Sequence, residues 1–294
     1  MNLILKIIYI PFINFFLRNM IRLFSNKKLI SVSGKLNLKY RDVTFHLYTN
    51  QTCYVTKVLF YDGVENYEFT PIIASLIKKS KVFMDIGANI GLFSVLSAKL
   101  NHNIQAYAFE PSRGALHYLN KNVISNKLNN VNVIGKAVAD IDGELEFHDV
   151  INPKYPWLKH YLNGSNSLQN KYGKERTESY KVPTTTLAKV VEDYNIQQID
   201  LIKLDTEFTE HIILKNSLGV LKKFRPILIS EIYTEIEKEV QLIIDELEDY
   251  NCYHIDNNHL YEINNLYKID SNDERNFIFC PNEKVNLLNE FLNQ

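Results

Sequence analysis

Cysteines, acidic residues near the start and long uninterrupted apolar runs are what this 294-residue chain has little of. Its three cysteines, Cys53, Cys252 and Cys280, are far apart, odd in number and without C-x-x-C spacing. That excludes a disulfide framework and a cysteine zinc site, and it fits reduced thiols in the cytoplasm. The eight histidines offer no H-x-x-x-H pair, and His254 and His259 flank what reads as a loop at 256–258, so no metal site is expected. No acidic residue precedes Asp42, whereas Lys6, Arg18, Arg22, Lys27, Lys28, Lys35, Lys39 and Arg41 all do. The net charge of the whole is only -1, so no bulk field favours nucleic acid as a partner.

Residues 3–17 are strongly apolar but are broken by Lys6, Pro11 and Asn14. They fall short of the roughly 20 residues that span a bilayer, and no small-residue cleavage site of a secretory signal follows. Two readings stay open for residues 1–30. One is a helix packed on the body or on a second copy. The other is a peripheral anchor at the inner face of the membrane through residues 1–28, with the apolar residues in the lipid interface and Arg18, Arg22, Lys27 and Lys28 on anionic headgroups. The oligomeric state is left undetermined.

What is present is an ordinary folded composition, 46% hydrophobic and 23% charged. Alternation in Lys35 to Tyr40 and Val43 to Tyr48 predicts a small β preface over residues 31–66, and 67–294 reads as the main domain. Thr70 and Pro71 read as N-cap and first helical position, with Ile72, Ile73, Leu76 and Ile77 on one face. Strands are expected at Val82 to Ile86, Gln105 to Phe109, Val131 to Ile134, Glu144 to Val150, Ile199 to Leu204 and Ile227 to Ile232. Helical sequence separates them, capped at Ser112 and, through a Thr234-x-x-Glu237 box, before a helix to Leu247. Closing strands are expected at Cys252 to Ile255, Leu260 to Ile263 and Phe277 to Cys280. This alternation predicts an α/β, Rossmann-like fold: a mixed, mostly parallel sheet with helices on both faces.

In such sheets ligands bind beyond the carboxyl ends of the strands, and Asp85, Glu110, Asp205 and Glu231 all fall at or near such ends. The loop Asp85-x-Gly87-x-Asn89-x-Gly91 spaces its glycines G-x-x-x-G, unlike the G-x-G-x-x-G that lets a backbone approach a pyrophosphate. It suits S-adenosylmethionine better, which has no phosphate but carries an ammonium, a sulfonium and a carboxylate. Asp85 would supply the complementary charge. Glu110 follows Gly91 at about the 20-residue offset of a ribose-binding acid, a feature shared with dinucleotide sites. Pro111 fixes the chain just beyond it.

The segments DIGANIGLFSVLSAKL, YAFEPS, NKLNNVNVIGKAVAD, IDLIKLDTEFTE and ILISEI resemble the FkbM-type methyltransferases over roughly residues 60–235. The resemblance implies a class I methyltransferase fold, S-adenosylmethionine as cofactor, and methyl transfer to a hydroxyl, frequently on a sugar or other secondary metabolite. It carries cofactor binding to Asp85, Gly87, Ala88, Asn89, Gly91, Glu110 and Pro111, and contact beside the adenine to Ala137 and Val138. It also matches Lys203, Asp205, Glu207 and Glu210 to the family's charged segment. Two departures stand out. Phe208 replaces the family's glycine and Thr209 its alanine, and Ala188 stands where an aspartate is frequent. A bulky residue at 208 points to a reshaped acceptor pocket or to weakened catalysis.

A hydroxyl must lose its proton as it attacks, so a base within hydrogen-bond reach is needed. Asp205 and Glu207 are the candidates, with Lys203 on the same strand face as Asp205 to hold a carboxylate or orient the acceptor; His211 reads as a surface residue. Between Phe147 and Val182, Tyr155, Trp157, Tyr161 and the run 163–167 read as an irregular loop suited either to a small-molecule or glycan acceptor or to simple packing. The rival functions are a protein of this fold that binds cofactor without turnover and a nicotinamide-dependent oxidoreductase. The latter lacks both the third glycine and a Ser/Tyr/Lys set.

Overall fold

The computed structural model describes residues 2–24, 29–162, 164, 168, 177–270 and 275–293. Two helices, α1 (Asn2–Ile8) and α2 (Pro11–Phe24), precede a hairpin of β1 (Gly34–Tyr40) and β2 (Val43–Thr49). Alternating burial sends Leu36, Leu38, Phe45 and Leu47 inward. The β preface holds only this hairpin, because α3 (Tyr54–Asp62) follows it with Thr56, Leu59 and Phe60 on its buried face. Next comes α4 (Thr70–Lys79), capped by Phe69 rather than Thr70, whose hydroxyl instead donates to the Tyr67 carbonyl at 2.6 Å.

The central sheet is built from β3 (Val82–Ile86), β4 (Gln105–Phe109), β5 (Val131–Ile134), β9 (Leu201–Leu204) and β10 (Ile227–Glu231), all parallel. Apart from the edge strand β5, their short apolar runs are buried along nearly their whole length, as parallel strands covered on both faces must be. The covering helices are α5 (Leu92–Leu100), α6 (Arg113–Ser125), α7 (Leu187–Asp193), α8 (Glu210–Asn216), α9 (Leu218–Phe224) and α10 (Glu237–Asp245). Three antiparallel strands, β11 (Tyr250–Asp256), β12 (His259–Ile263) and β13 (Asn276–Pro281), complete the order β12-β11-β13-β10-β9-β3-β4-β5. The chain runs outward from β3 through β4 to β5, then returns to the other side of β3 at β9. That reversal opens a crevice at the carboxyl ends of β3 and β9.

A second sheet joins β6 (Ala137–Val138), β7 (Gly143–Val150) and β8 (Thr177–Thr185). This corrects the reading of residues 147–182 as one irregular insertion. The end of that stretch is a strand paired from Gly143↔Thr184 to Val150↔Thr177, a partnership local periodicity cannot announce. Of the run 163–167, only Gly164 lies within the described residues. The capping box at Thr234 does not form either. Helix α10 starts at Glu237, whose carboxylate is held by the buried Arg275 guanidinium at 2.7 Å, and the Thr234 hydroxyl turns to Glu235. The helical sequence expected between the strands at Ile199 to Leu204 and Ile227 to Ile232 breaks at Ser217 into α8 and α9.

Candidate active site

A cavity of about 410 Å³ occupies the crevice at the ends of β3, β4, β9 and β10. Its wall brings together Gly87, Asn89, Glu110, Pro111, Ala137 and Val138 on the side of β3 to β6, and Asp205, Glu207 and Glu231 on the side of β9 and β10. Asp85, Ala88, Gly91 and Lys203 are not in the wall. Gly91 is the left-handed residue from which α5 starts, and the Ala88 amide donates to the Phe109 carbonyl at 2.9 Å, so both serve the turn itself.

Asp85 lies beneath the loop. Parallel pairing of β3 and β9 puts it in register with Lys203, and the two charged groups stand 3.8 Å apart. The other Asp85 oxygen accepts from Ser94 Oγ at 2.5 Å. Lys203 Nζ also donates to Asp205 Oδ2 at 3.0 Å and to the Gly87 carbonyl at 3.1 Å. Burial alone would pull this ammonium down, but Asp205 and Asp85 outweigh it and raise its pKa. Asp85 is raised by burial, with Lys203 and Ser94 opposing. Its charge therefore acts on the cavity through Lys203 and the loop rather than by direct contact.

Glu110 accepts from the backbone amides of Asn89 and Ser112, each at 2.8 Å, so it fastens the cofactor loop to the entry of α6. Burial pushes its carboxyl up to about 7 against those two bonds. Glu231 is also raised to about 7, by burial and then by Asp205. The Tyr233 hydroxyl links it, at 3.0 Å, to Glu207, at 3.3 Å. Glu210 faces away, accepting from the Thr206 amide at 2.6 Å and its hydroxyl at 2.9 Å. Among the described residues no group of His, Cys, Asp or Glu is placed to hold a metal ion.

Phe208, which replaces the glycine expected from the resemblance, has a backbone φ of 82°, and Glu207 before it has 59°. A side chain at such an angle costs on the order of 1 kcal/mol or more. Here the ring is stacked on Tyr233 with centroids 4.0 Å apart and planes 13° from parallel, which offsets part of that cost. Tyr54, Val55, Tyr67, Glu68 and Tyr233 also line the wall without having been singled out in the sequence. Tyr233 lies two residues past the noted Glu231. The others come from α3 and the loop before α4, and no local spacing ties them to the Asp85 loop.

Residues 85–258 match the model of the Methyltransferase FkbM domain, over half of the chain. The chain belongs to the FkbM methyltransferase family. Among curated proteins it resembles AMB antimetabolite synthetase AmbE of Pseudomonas aeruginosa, at 25% identity over 61% of this chain and 9% of that protein. It also resembles the tRNA(Phe) (4-demethylwyosine(37)-C(7)) aminocarboxypropyltransferase of Methanocaldococcus jannaschii, at 36% identity over 26% of this chain and 30% of that one. The chain thus spans less than a third of either relative. Of solved structures, methyltransferase FkbM of Methylobacillus flagellatus aligns at 15% identity and a TM-score of 0.42, over 68% of this chain and 43% of that one. An S-adenosylmethionine-dependent methyltransferase of Agrobacterium tumefaciens aligns at 8% identity and 0.45, over 86% and 71%. At these scores the family assignment rests on the sequence match and the topology above.

This FkbM methyltransferase takes S-adenosylmethionine as its cofactor, and the lining of its cavity fits that molecule. Asn89 Oδ1 is buried without a hydrogen-bond partner among the described residues, and the Glu110 carboxylate keeps acceptor capacity beyond its two amide bonds. Apolar Phe109, Ala137 and Val138 offer the flat wall an adenine needs.

Proposed function

We propose that this methyltransferase acts on a hydroxyl group, of a sugar or other glycan, with Gly87, Asn89, Glu110, Pro111, Ala137 and Val138 binding the cofactor and Asp205 and Glu207 serving the acceptor. The observation that carries this reading is one cavity with a loop suited to a phosphate-free cofactor on one side and carboxylates on the other. S-adenosylmethionine supplies an electrophilic methyl when bound. The work left to the protein is to position the hydroxyl and take its proton. Glu207 and Asp205 both line the cavity, which supports their reading as bases for a hydroxyl bound there, and Glu231 shares the Tyr233 hydroxyl with Glu207. Lys203 holds Asp205 and the Gly87 carbonyl together, so it positions both halves of the site.

Calorimetric titration with S-adenosylmethionine, with NAD as control, tests the first step. Saturable binding of the former alone is expected, and binding of NAD alone would overturn the reading. Radiolabelled methyl transfer to a panel of sugars and glycans, with unmodified tRNA beside them, tests the second; transfer only to tRNA would remove the hydroxyl proposal. Glu207→Gln should lower kcat by about 10²-fold or more with cofactor affinity unchanged, as loss of a general base does. An unaltered kcat would take Glu207 out of the reaction.

Glu110 gives a pH signature. Its folded pKa of about 7 stands above the ordinary 4.5. The neutral carboxyl therefore favours the folded state, an advantage present in full below 4.5 and lost as pH rises through about 7. Cofactor affinity should run the opposite way, rising through that range as the carboxylate that accepts the ribose hydroxyls forms. Glu110→Gln should weaken S-adenosylmethionine roughly tenfold or more and flatten the pH dependence of affinity. A variant that keeps the wild-type pH profile would show that another group titrates.

A further inference from the structure

Helix α2 is amphipathic in the reverse sense from an ordinary surface helix. Two of its polar residues face the body: Asn14 Nδ2 donates to the Ser31 carbonyl at 3.0 Å, Asn14 Oδ1 accepts from the Ser33 amide at 2.8 Å, and Arg18 Nη2 donates to the Lys35 carbonyl at 2.9 Å. The opposite stripe, Phe12, Phe16, Met20 and Leu23, follows helical spacing and is 71%, 56%, 51% and 80% exposed. Leu3, Ile4 and Ile7 of the preceding α1 are exposed as well. Scattered apolar residues are normal on a protein surface, but a ridge along one helix, with more exposed apolar residues on the helix before it, marks an interaction site. The hydrogen bonds of Asn14 and Arg18 fix its direction. Rolling the stripe inward would strip the Arg18 guanidinium of its carbonyl partner. This also corrects the expectation that Arg18 meets lipid headgroups, while Lys27 and Lys28 lie outside the described residues.

Charge selects the occupant. A symmetric dimer would press this patch against its own copy. That would bring together two sets of cations, the exposed Lys6 and Arg22 among them, with no acidic residue in the first 41 positions to neutralise them. An anionic lipid surface satisfies both features, taking the apolar ridge into its interface and meeting the bordering cations with phosphate. Among the described residues no helix is long and apolar enough to cross a membrane. We propose that α1 and α2 dock the protein, without spanning, on an anionic phospholipid surface.

Two struts join this face to the cavity. Helix α3 begins with Tyr54 and Val55 in the cavity wall and carries Phe60, a turn and a half further on, beneath the Arg18 and Arg22 guanidinium groups, each 5.2 Å from its centroid. At ~1.5 Å per residue, the rise from Tyr54 to Phe60 along this helix is only about 9 Å. On the other side, Tyr9 packs edge-on against Tyr155 at 5.5 Å and Lys6 lies 5.3 Å over Trp157, in a segment that continues to Leu162 of the wall. Docking therefore sets the elements that carry two parts of the cavity wall against the membrane-facing helices. The docking itself stands whether or not the acceptor is a glycan.

The test is sedimentation of the full chain with vesicles of phosphatidylglycerol and phosphatidylcholine, against phosphatidylcholine alone, with light scattering to give the mass in the absence of lipid. The wild type should sediment with the anionic vesicles and be released as salt rises. Retention should fall roughly tenfold or more in a Phe12→Ser, Phe16→Ser, Leu23→Ser variant and about fivefold in Arg22→Gln, with unchanged circular dichroism and S-adenosylmethionine binding. Absence of wild-type retention overturns the proposal. So does a lipid-free dimer that the triple variant converts to monomer, which would assign the ridge to a second copy.

Discussion

Replacing Gly87 by alanine is expected to destabilise the protein by about 3 kcal/mol or more and to abolish cofactor binding. A Cβ at this position would lie 1.8 Å from the Asp205 carbonyl oxygen and 2.8 Å from its carbon. Both are backbone atoms, so no side chain can swing aside; either the loop after β3 or the one after β9 must move. Those two loops form opposite sides of the cavity, so the shift that relieves the clash also spoils the site. Gly63 is the control. It has a similar φ, 86° against 79°, yet nothing lies within 4 Å of its would-be Cβ. Gly63→Ala should therefore cost only the backbone term, on the order of 1 kcal/mol. Denaturant unfolding of the two variants checks the difference, and equal losses would mean that the close approach of the loops is absent.

Lys203→Met should cost about 3–5 kcal/mol at neutral pH, because it leaves buried carboxylate charge without its cation. Lys203 is the only cation paired with Asp85 among the described residues, and it also pairs with Asp205. Without it, the burial that already raises the Asp85 pKa acts with only Ser94 in opposition. A carboxyl raised in the folded state carries no penalty below its unfolded pKa and a growing one as pH rises through its folded value. The loss should accordingly shrink on acidification. Asp85→Asn added to Lys203→Met should recover most of the stability lost, giving a coupling energy that separate effects would not show. Urea unfolding of the single and double variants across pH decides it; additive losses with no pH dependence would place the two groups in independent roles.

The Phe208 substitution shows where sequence and structure each contribute. Comparison with the family pattern marks the residue as unusual, and only the backbone angle of 82° says why glycine suits the position. Only the packing reveals that Tyr233, far along the chain, partners the intruding ring. The catalytic-side wall behaves likewise. Glu231 is legible as an acid at a strand end, while Glu68 and Tyr67 enter from a loop that becomes a neighbour only when α3 and α4 pack against the sheet.

The sequence alone determined the strand-loop-helix unit from Val82 to Leu100, the acid Glu110 beyond the next strand, and the alternation that yields a mostly parallel sheet. These are written in short-range periods and turn residues, which act between near neighbours whatever the rest of the chain does. Tertiary structure decided the rest. Strand register set Asp85 beside Lys203 and beneath the cavity floor, long-range pairing closed β7 on β8, and three hydrogen bonds to the body hold the apolar face of α2 outward. Hydrophobic pattern says that a helix has two faces, but which one meets the body depends on the polar partners waiting there. For α2 those partners are the backbone groups of Ser31, Ser33 and Lys35, which draw Asn14 and Arg18 inward.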